Sequence, residues 1–356
     1  MLTSPCLKIP KDSGEKTILL AKQLGLFNQR MKIEQKNSSL YIPLFREPDA
    51  NEREILQKSV PSVEVCVHNF STEILHAPKT FVDVLAGELP PNLVANFPHA
   101  VDFVGDIAVL EIPPELESYK QRIGEAVMVA NKRVHTVLAK ASAIEGVYRT
   151  RKFEVIAGEA KTVTVHKEYG CVYHVDLSKA YFSPRLSSEH ARVAGLVNEG
   201  ETVVDMFAGV GPFTIQIARQ HERVRVYAVD VNPDAIALLN KNIAANRVVT
   251  KVTPILGDVR QVVRERLAGV ADRVAMNLPE KAIEYVDVAC EAIKSNGGIM
   301  HYYEFTNASG LTTTAEVRLV EAVEKANRKV DQVLTSKTVR ATAPYTWQVV
   351  VDAKIK

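Results

Sequence analysis

Thr202-Val203-Val204-Asp205-Met206-Phe207-Ala208-Gly209-Val210-Gly211-Pro212-Phe213 is the stretch on which the fold turns. A short apolar, β-branched run gives way to a loop with two glycines, and Thr214 to Arg219 continues with helical spacing. That pattern predicts a strand, a tight turn and a helix. Three more strands follow the same plan: Arg225–Val229 ends at Asp230, Val252–Leu256 at Gly257-Asp258, and Arg273–Met276 at Asn277-Leu278-Pro279. Asn232-Pro233-Asp234 opens a helix running to Asn246. Strands alternating with helices, each strand ending in a glycine or polar residue, predict a doubly wound parallel sheet with its ligand at the carboxyl ends.

The 356 residues suffice for two to three domains at roughly 150 residues each. Upstream of the sheet, Cys6–Pro10 alternates like a strand, Ser13–Leu24 has helical spacing and Ser39–Leu44 reads as another strand, before a polar break at Pro48, Asp49 and Asn51. A second unit carries the breaks Leu89-Pro90-Pro91-Asn92 and Ile112-Pro113-Pro114. Between them Ala100–Ile112 predicts two strands turning at Gly105-Asp106. Glu117–Ala130 is helical, and Phe153–Val175 alternates through further strands. The predicted units are 1–65, a small α/β domain; 66–178, an α+β domain; and 179–356, the doubly wound sheet, closed near Trp347 by an antiparallel strand.

A net charge of +2, with 46% hydrophobic and 24% charged residues, excludes a disordered chain and a uniformly basic nucleic-acid coat. The total conceals segregation: Tyr41–Glu117 carries −9 and Ser118–Lys152 carries +6, which points modestly to a polyanionic partner. Cys6, Cys66, Cys171 and Cys290 lack the close spacing of zinc or redox motifs, and His166, His174 and His301 have no ligand at metal spacing, so no metal is expected. With no signal core and no apolar span, the chain reads as cytoplasmic, with no membrane partner.

Gly209-x-Gly211 with Asp230 after the next strand suits a nucleoside with a ribose diol. A dinucleotide site wants a small third residue where Thr214 stands behind Pro212-Phe213. Asp205 would sit badly near a pyrophosphate but well near a cationic amino-acid moiety, so S-adenosylmethionine fits better than NAD. The series Asp205 to Gly211, Asp230-x-Asn232-Pro233, Gly257-Asp258 and Asn277-Leu278-Pro279 resembles class I methyltransferases, whose Rossmann-like sheet the third unit would share. That resemblance implies Asp230 on the ribose and Asp258 at the adenine. Phe207, Gly209, Gly211, Val231, Val259 and Asn277 would complete the cofactor site.

Asn277-Leu278-Pro279 departs at Leu278 and Glu280 from the Asn-Pro-Pro-aromatic motif of adenine methylases, and no cysteine lies in a Pro-Cys loop for attack on cytosine. Gly146-Val147-Tyr148-Arg149-Thr150-Arg151, Ala157-Gly158-Glu159 and Tyr181-Phe182-Ser183-Pro184-Arg185-Leu186-Ser187-Ser188-Glu189-His190 resemble the archaeal and eukaryotic tRNA guanine-37 N1-methyltransferases, from end to end of the chain. The resemblance implies methyl transfer to N1 of guanosine 37 by a monomer that binds the tRNA elbow and anticodon loop and not DNA. Guanine N1 becomes nucleophilic only when its proton leaves and charge gathers on O6. Glu189 is implied as the base and Arg149 as the cation at O6. Arg151, Arg185, Asn277 and Pro279 would hold substrate, and Tyr181 and His190 would line the methionine end of the cofactor. The alternative is a wyosine-pathway aminocarboxypropyl transferase, or a dual methylase, using the same cofactor.

Overall fold

Apolar residues alternating at Leu7 and Ile9 give β1 (Leu2–Pro10) its core face, and it lies at the centre of an antiparallel sheet. It lies between β3 (Ser39–Pro43) and β4 (Glu64–Phe70), with β2 (Glu34–Lys36) outside β3. In this computed structural model the described residues are 2–28, 31–70, 80–85, 93, 97, 100–307 and 311–356. The break Leu89-Pro90-Pro91-Asn92 lies outside them. Helices α1 (Gly14–Gln23) and α2 (Ala50–Ser59) cover the sheet with Ala21 and Leu56 against Leu7, Ile9 and Ile42. The polar break at Asp49 is a capping box: Asp49 accepts from the Glu52 N–H and Glu52 from the Asp49 N–H. Because β4 completes this sheet, the first compact unit runs to Asp83 and not to 65.

The second compact unit is Val84–Lys356. β5 (Asp102–Val104) and β6 (Ile107–Leu110) form the expected hairpin, and Gly105 is required at its turn. Its φ is +58°, and a Cβ there would stand 2.1 Å from Thr164 Oγ1. After a 3₁₀ turn from Pro114, α3 (Lys120–Ala130) leads to β7 (Thr136–Lys140), parallel to β6, and β8 (Phe153–Gly158), antiparallel to β7. Among the described residues β9 (Val163–Glu168) and β10 (Cys171–Asp176) pair only with each other.

Helix α4 (Ser187–Leu196) introduces the seven-stranded sheet, ordered β13-β12-β11-β14-β15-β17-β16. β11 (Thr202–Asp205), β12 (Arg225–Asp230), β13 (Val252–Leu256), β14 (Arg273–Met276) and β15 (Gly298–Asn307) are parallel. β17 (Thr346–Ile355) runs antiparallel between β15 and the edge strand β16 (Val330–Ala343). The crossovers include α5 (Pro212–Gln220), α6 (Pro233–Ala245), α7 (Val286–Ala292) and, before β16, α8 (Leu311–Lys325). The order reverses between β11 and β14, which opens a crevice at their carboxyl ends.

No packing boundary falls at the expected 178/179. Ile107 and Leu138 share one core with Tyr173, Val203, Phe213 and Leu239. The free edge of β10 is met by side chains of α6 and of its C-cap residue. Asn242 Oδ1 accepts from the His174 N–H at 2.7 Å and Asn246 Oδ1 from the Val172 N–H at 2.9 Å, while both Nδ2 groups donate back to the same residues' carbonyls. Among the described residues no helix is long and apolar enough to cross a membrane.

Candidate functional site

The two glycines of the 202–213 stretch do different work. Gly209 has φ +55°, and a Cβ there would meet only the Tyr181 carbonyl oxygen at 3.8 Å, so its backbone faces open space. Gly211, at φ +92°, caps α5, and a Cβ would lie 2.4 Å from Leu239 Cδ1. The Gly209 N–H donates to Asp230 Oδ2 at 2.7 Å and the Asn232 N–H to Oδ1 at 2.9 Å, which ties the loop after β11 to the end of β12. Burial raises the Asp230 carboxyl above its usual range despite these bonds.

Around this loop lies a cavity of about 160 Å³ at the carboxyl ends of β11 to β14. Of the residues expected at the cofactor, Phe207, Gly209, Asp230, Val231, Asp258, Val259 and Asn277 line it, together with Tyr181 and His190; Gly211 does not, because it packs on Leu239. Tyr285 also lines it, edge-on to Phe207 at 5.2 Å, and no sequence signal marked that residue. One residue before this lining, Asp205 is fully buried. Its Oδ2 accepts from Thr214 Oγ1 at 2.7 Å, and its Oδ1 has no partner among the described residues. Burial, with the nearby Asp230 charge adding to it, pushes the Asp205 carboxyl up to about 6. An orphaned carboxylate oxygen one residue before the cavity lining fits a ligand with a cationic amino-acid end.

A second cavity of about 240 Å³ adjoins the first and shares Arg149, Tyr181, Phe182 and Arg340 with it. Arg151 and Arg185 line it; Pro279, with Asn277, lines the first. Arg149 stands in a turn closed by its N–H to the Gly146 carbonyl, at φ +55°, a backbone region unusual outside glycine. Its guanidinium donates to Glu280 Oε2 at 2.5 Å and lies 5.4 Å from the Tyr181 ring centroid. Glu280, a departure from the adenine-methylase motif, thus anchors Arg149. Arg185 Nε donates to Asp102 Oδ1 at 2.5 Å. Four of the eight cations of the +6 segment, Lys120, Arg122, Lys140 and Arg149, are ion-paired.

Glu189 lines neither cavity. It is 3% exposed, and its Oε1 accepts from Arg192 Nε at 2.8 Å and Tyr303 Oη at 2.9 Å, with Lys337 Nζ 3.2 Å from Oε2. Burial works against its charged form, yet the Arg192 guanidinium keeps the carboxyl below its usual range. His190 does line the first cavity. Successive residues of a helix point about 100° apart, so the two neighbours face different surroundings. His190 Nδ1 lies 2.8 Å from Glu168 Oε1, which also accepts from Gln216 Nε2. Burial opposes the charge on Glu168, but the imidazoles of His166 and His190 hold its carboxyl down to about 2.

The TRM5/TYW2 methyltransferase domain matches residues 164–333, the TYW2 N-terminal domain 81–162 and the tRNA methyltransferase 5 N-terminal domain 6–52. The chain is 36% identical over 349 residues to the tRNA (guanine(37)-N(1))-methyltransferase Trm5b of Pyrococcus abyssi, covering 98% of each. It is 35% identical over 253 residues to the tRNA(Phe) (4-demethylwyosine(37)-C(7)) aminocarboxypropyltransferase of Methanocaldococcus jannaschii, covering 71% of this chain and 96% of that one. Among solved structures, the complex of aTrm5 and tRNALeu superposes with a TM-score of 0.68 at 34% identity over 99% of both chains.

Proposed function

The chain belongs to the TRM5/TYW2 family, and on that premise we propose that it methylates N1 of guanosine 37 in tRNA. The observation that carries this reading is the junction of two cavities at Arg149 and Tyr181. One is built like a nucleoside pocket, and the other is lined by Arg149, Arg151 and Arg185. S-adenosylmethionine, held by Phe207, Gly209, Asp230, Val231 and Val259 with its amino-acid end toward Asp205, Tyr181 and His190, would supply an electrophilic methyl group there. Asp258 would meet the adenine.

The chain's own residues then have to hold the guanine, remove its N1 proton and stabilise the charge left on O6. Arg149 is the cation for O6, and its fixed turn and Glu280 anchor pre-orient the guanidinium. Arg151 and Arg185 hold the anticodon-loop backbone, and Asn277 and Pro279 border the base. Glu189 is the base. To serve, it must give up its bonds to Arg192 and Tyr303 and turn toward the cavity, so tRNA binding has to supply a local rearrangement of α4. The first unit would dock on the tRNA elbow.

Incubation with labelled S-adenosylmethionine and transcripts carrying G37 or A37 should label only the first, as N1-methylguanosine. Equal labelling of both transcripts, or of neither, would sink this reading. The second reading, aminocarboxypropyl transfer, is favoured by the likeness to the M. jannaschii enzyme over 71% of this chain. Nucleoside mass analysis separates the two, because one reaction leaves its nucleoside with an added methyl group and the other with an added aminocarboxypropyl group.

A further inference from the structure

We propose that Arg340 and Gln348 act as positioning residues that fix the hydrogen-bonding sense of Asn277, so that the site offers a donor to the target base and selects a lactam edge over an amino group. This rests on the methylation reading above and names what discriminates the substrate within it.

Arg340 on β16 and Gln348 on β17 are directly opposite in the antiparallel register, so their side chains share one face of the sheet. Arg340 Nε donates to Gln348 Oε1 at 2.9 Å, and its Nη1 donates to Ser183 Oγ at 3.1 Å. Gln348 is 1% exposed, and its Nε2 donates to Asn277 Oδ1 at 3.3 Å. A guanidinium has five donors and no acceptor. Gln348 must therefore turn its carbonyl to Arg340, which leaves only its NH₂ for Asn277. Asn277 must answer with its carbonyl, and its Nδ2, which has no partner among the described residues, is left for the cavity it lines. Reversing either amide would set N–H against N–H in a buried setting, where an unmatched polar group is costly. Adenine presents an exocyclic NH₂ at the position where guanine presents O6. A site that offers a fixed donor there is matched by O6, or by N1 once its proton has left, and is mismatched by an amine.

The test uses the full chain. In ¹⁵N-labelled protein the Asn277 side-chain amide pair is identified by its loss in Asn277→Asp. Gln348→Glu keeps the bond from Arg340 but presents Asn277 with an acceptor, so the Asn277 amide should turn to it, move downfield and become protected from solvent exchange. An unmoved pair would overturn the proposal, whatever the activity. In parallel, Gln348→Glu should lower kcat on a G37 transcript by about tenfold or more while leaving S-adenosylmethionine affinity within about twofold. Gln348→Met, which releases Asn277 without reversing it, should cost less. A larger loss in the Met variant than in the Glu variant would also overturn it. A wild-type chain that forms no N1-methylguanosine would defeat the methylation reading alone, and the amide measurement would still decide the proposal.

Discussion

Asp205 is held in the core with one oxygen bonded to Thr214 and the other unmatched. Its folded-state value of about 6 lies above the ordinary 3.8, so its contribution to stability is present below about pH 4 and is lost as pH rises through about 6. That separation corresponds to up to about 3 kcal/mol. Asp205→Asn should therefore be more stable than the parent at pH 7 by denaturant midpoint, with the gap closing below pH 4, and should bind S-adenosylmethionine less tightly. A parent chain more stable at pH 7 would refute this. Glu189→Gln should slow methyl transfer by roughly 10²- to 10⁴-fold, the usual worth of a general base, with cofactor affinity nearly unchanged. A large affinity loss would assign Glu189 to binding instead. The residue types of the site were legible in sequence because acids and glycines at strand ends carry their chemistry with them. Orientation was not: Glu189 and His190 are neighbours in one motif, yet helical geometry sends one to Arg192 and the other to the cavity.

At the scale of elements, the loop joining β11 to α5 shows why two glycines of one motif should not respond alike to substitution. Both have positive φ, so either alanine carries about 1–2 kcal/mol of backbone strain. Gly209→Ala adds its methyl toward open space and should in addition reduce cofactor affinity, whereas Gly211→Ala drives a Cβ against Leu239 and should lose the more stability. Measured melting temperatures and cofactor affinities that rank the two variants the other way would refute the assignment. Parallel strands β11 to β14 of the large sheet were readable because each is a short apolar run ending in a marked residue, whereas β15, with His301 and Glu304 inside its run, was not read. β16 was not, since a partly exposed edge strand with register shifts against β17 lacks a clean alternation. Arg340 and Gln348 were missed with it, because only the pairing of β16 with β17 brings them together.

For the whole molecule, the unit boundaries were the least legible feature, since they depend on pairings between distant segments. β4 joins β1 across some sixty residues, and Cys6 and Cys66, distant in sequence, stand opposite with their sulfurs 3.0 Å apart. Removal of residues 1–83 takes away a unit with its own core and should leave S-adenosylmethionine affinity intact while weakening tRNA binding. Removal of residues 1–65 strands most of β4 without its partner β1 and should give a less soluble protein. Equal solubility of the two truncations, or unchanged tRNA affinity, would contradict this division.

The amide ladder from Asn242 and Asn246 to β10 has a mechanical consequence. Two side chains on a helix of the nucleoside-binding sheet take the hydrogen bonds that a neighbouring strand would otherwise make, so the β9–β10 ribbon is fastened to that sheet like a riveted plate. The same bonds satisfy backbone groups that would otherwise invite another chain to pair there. Compliance during tRNA capture then has to reside elsewhere. On the proposed mechanism α4 supplies it, because Glu189 would have to leave Arg192 and Tyr303 to reach the base.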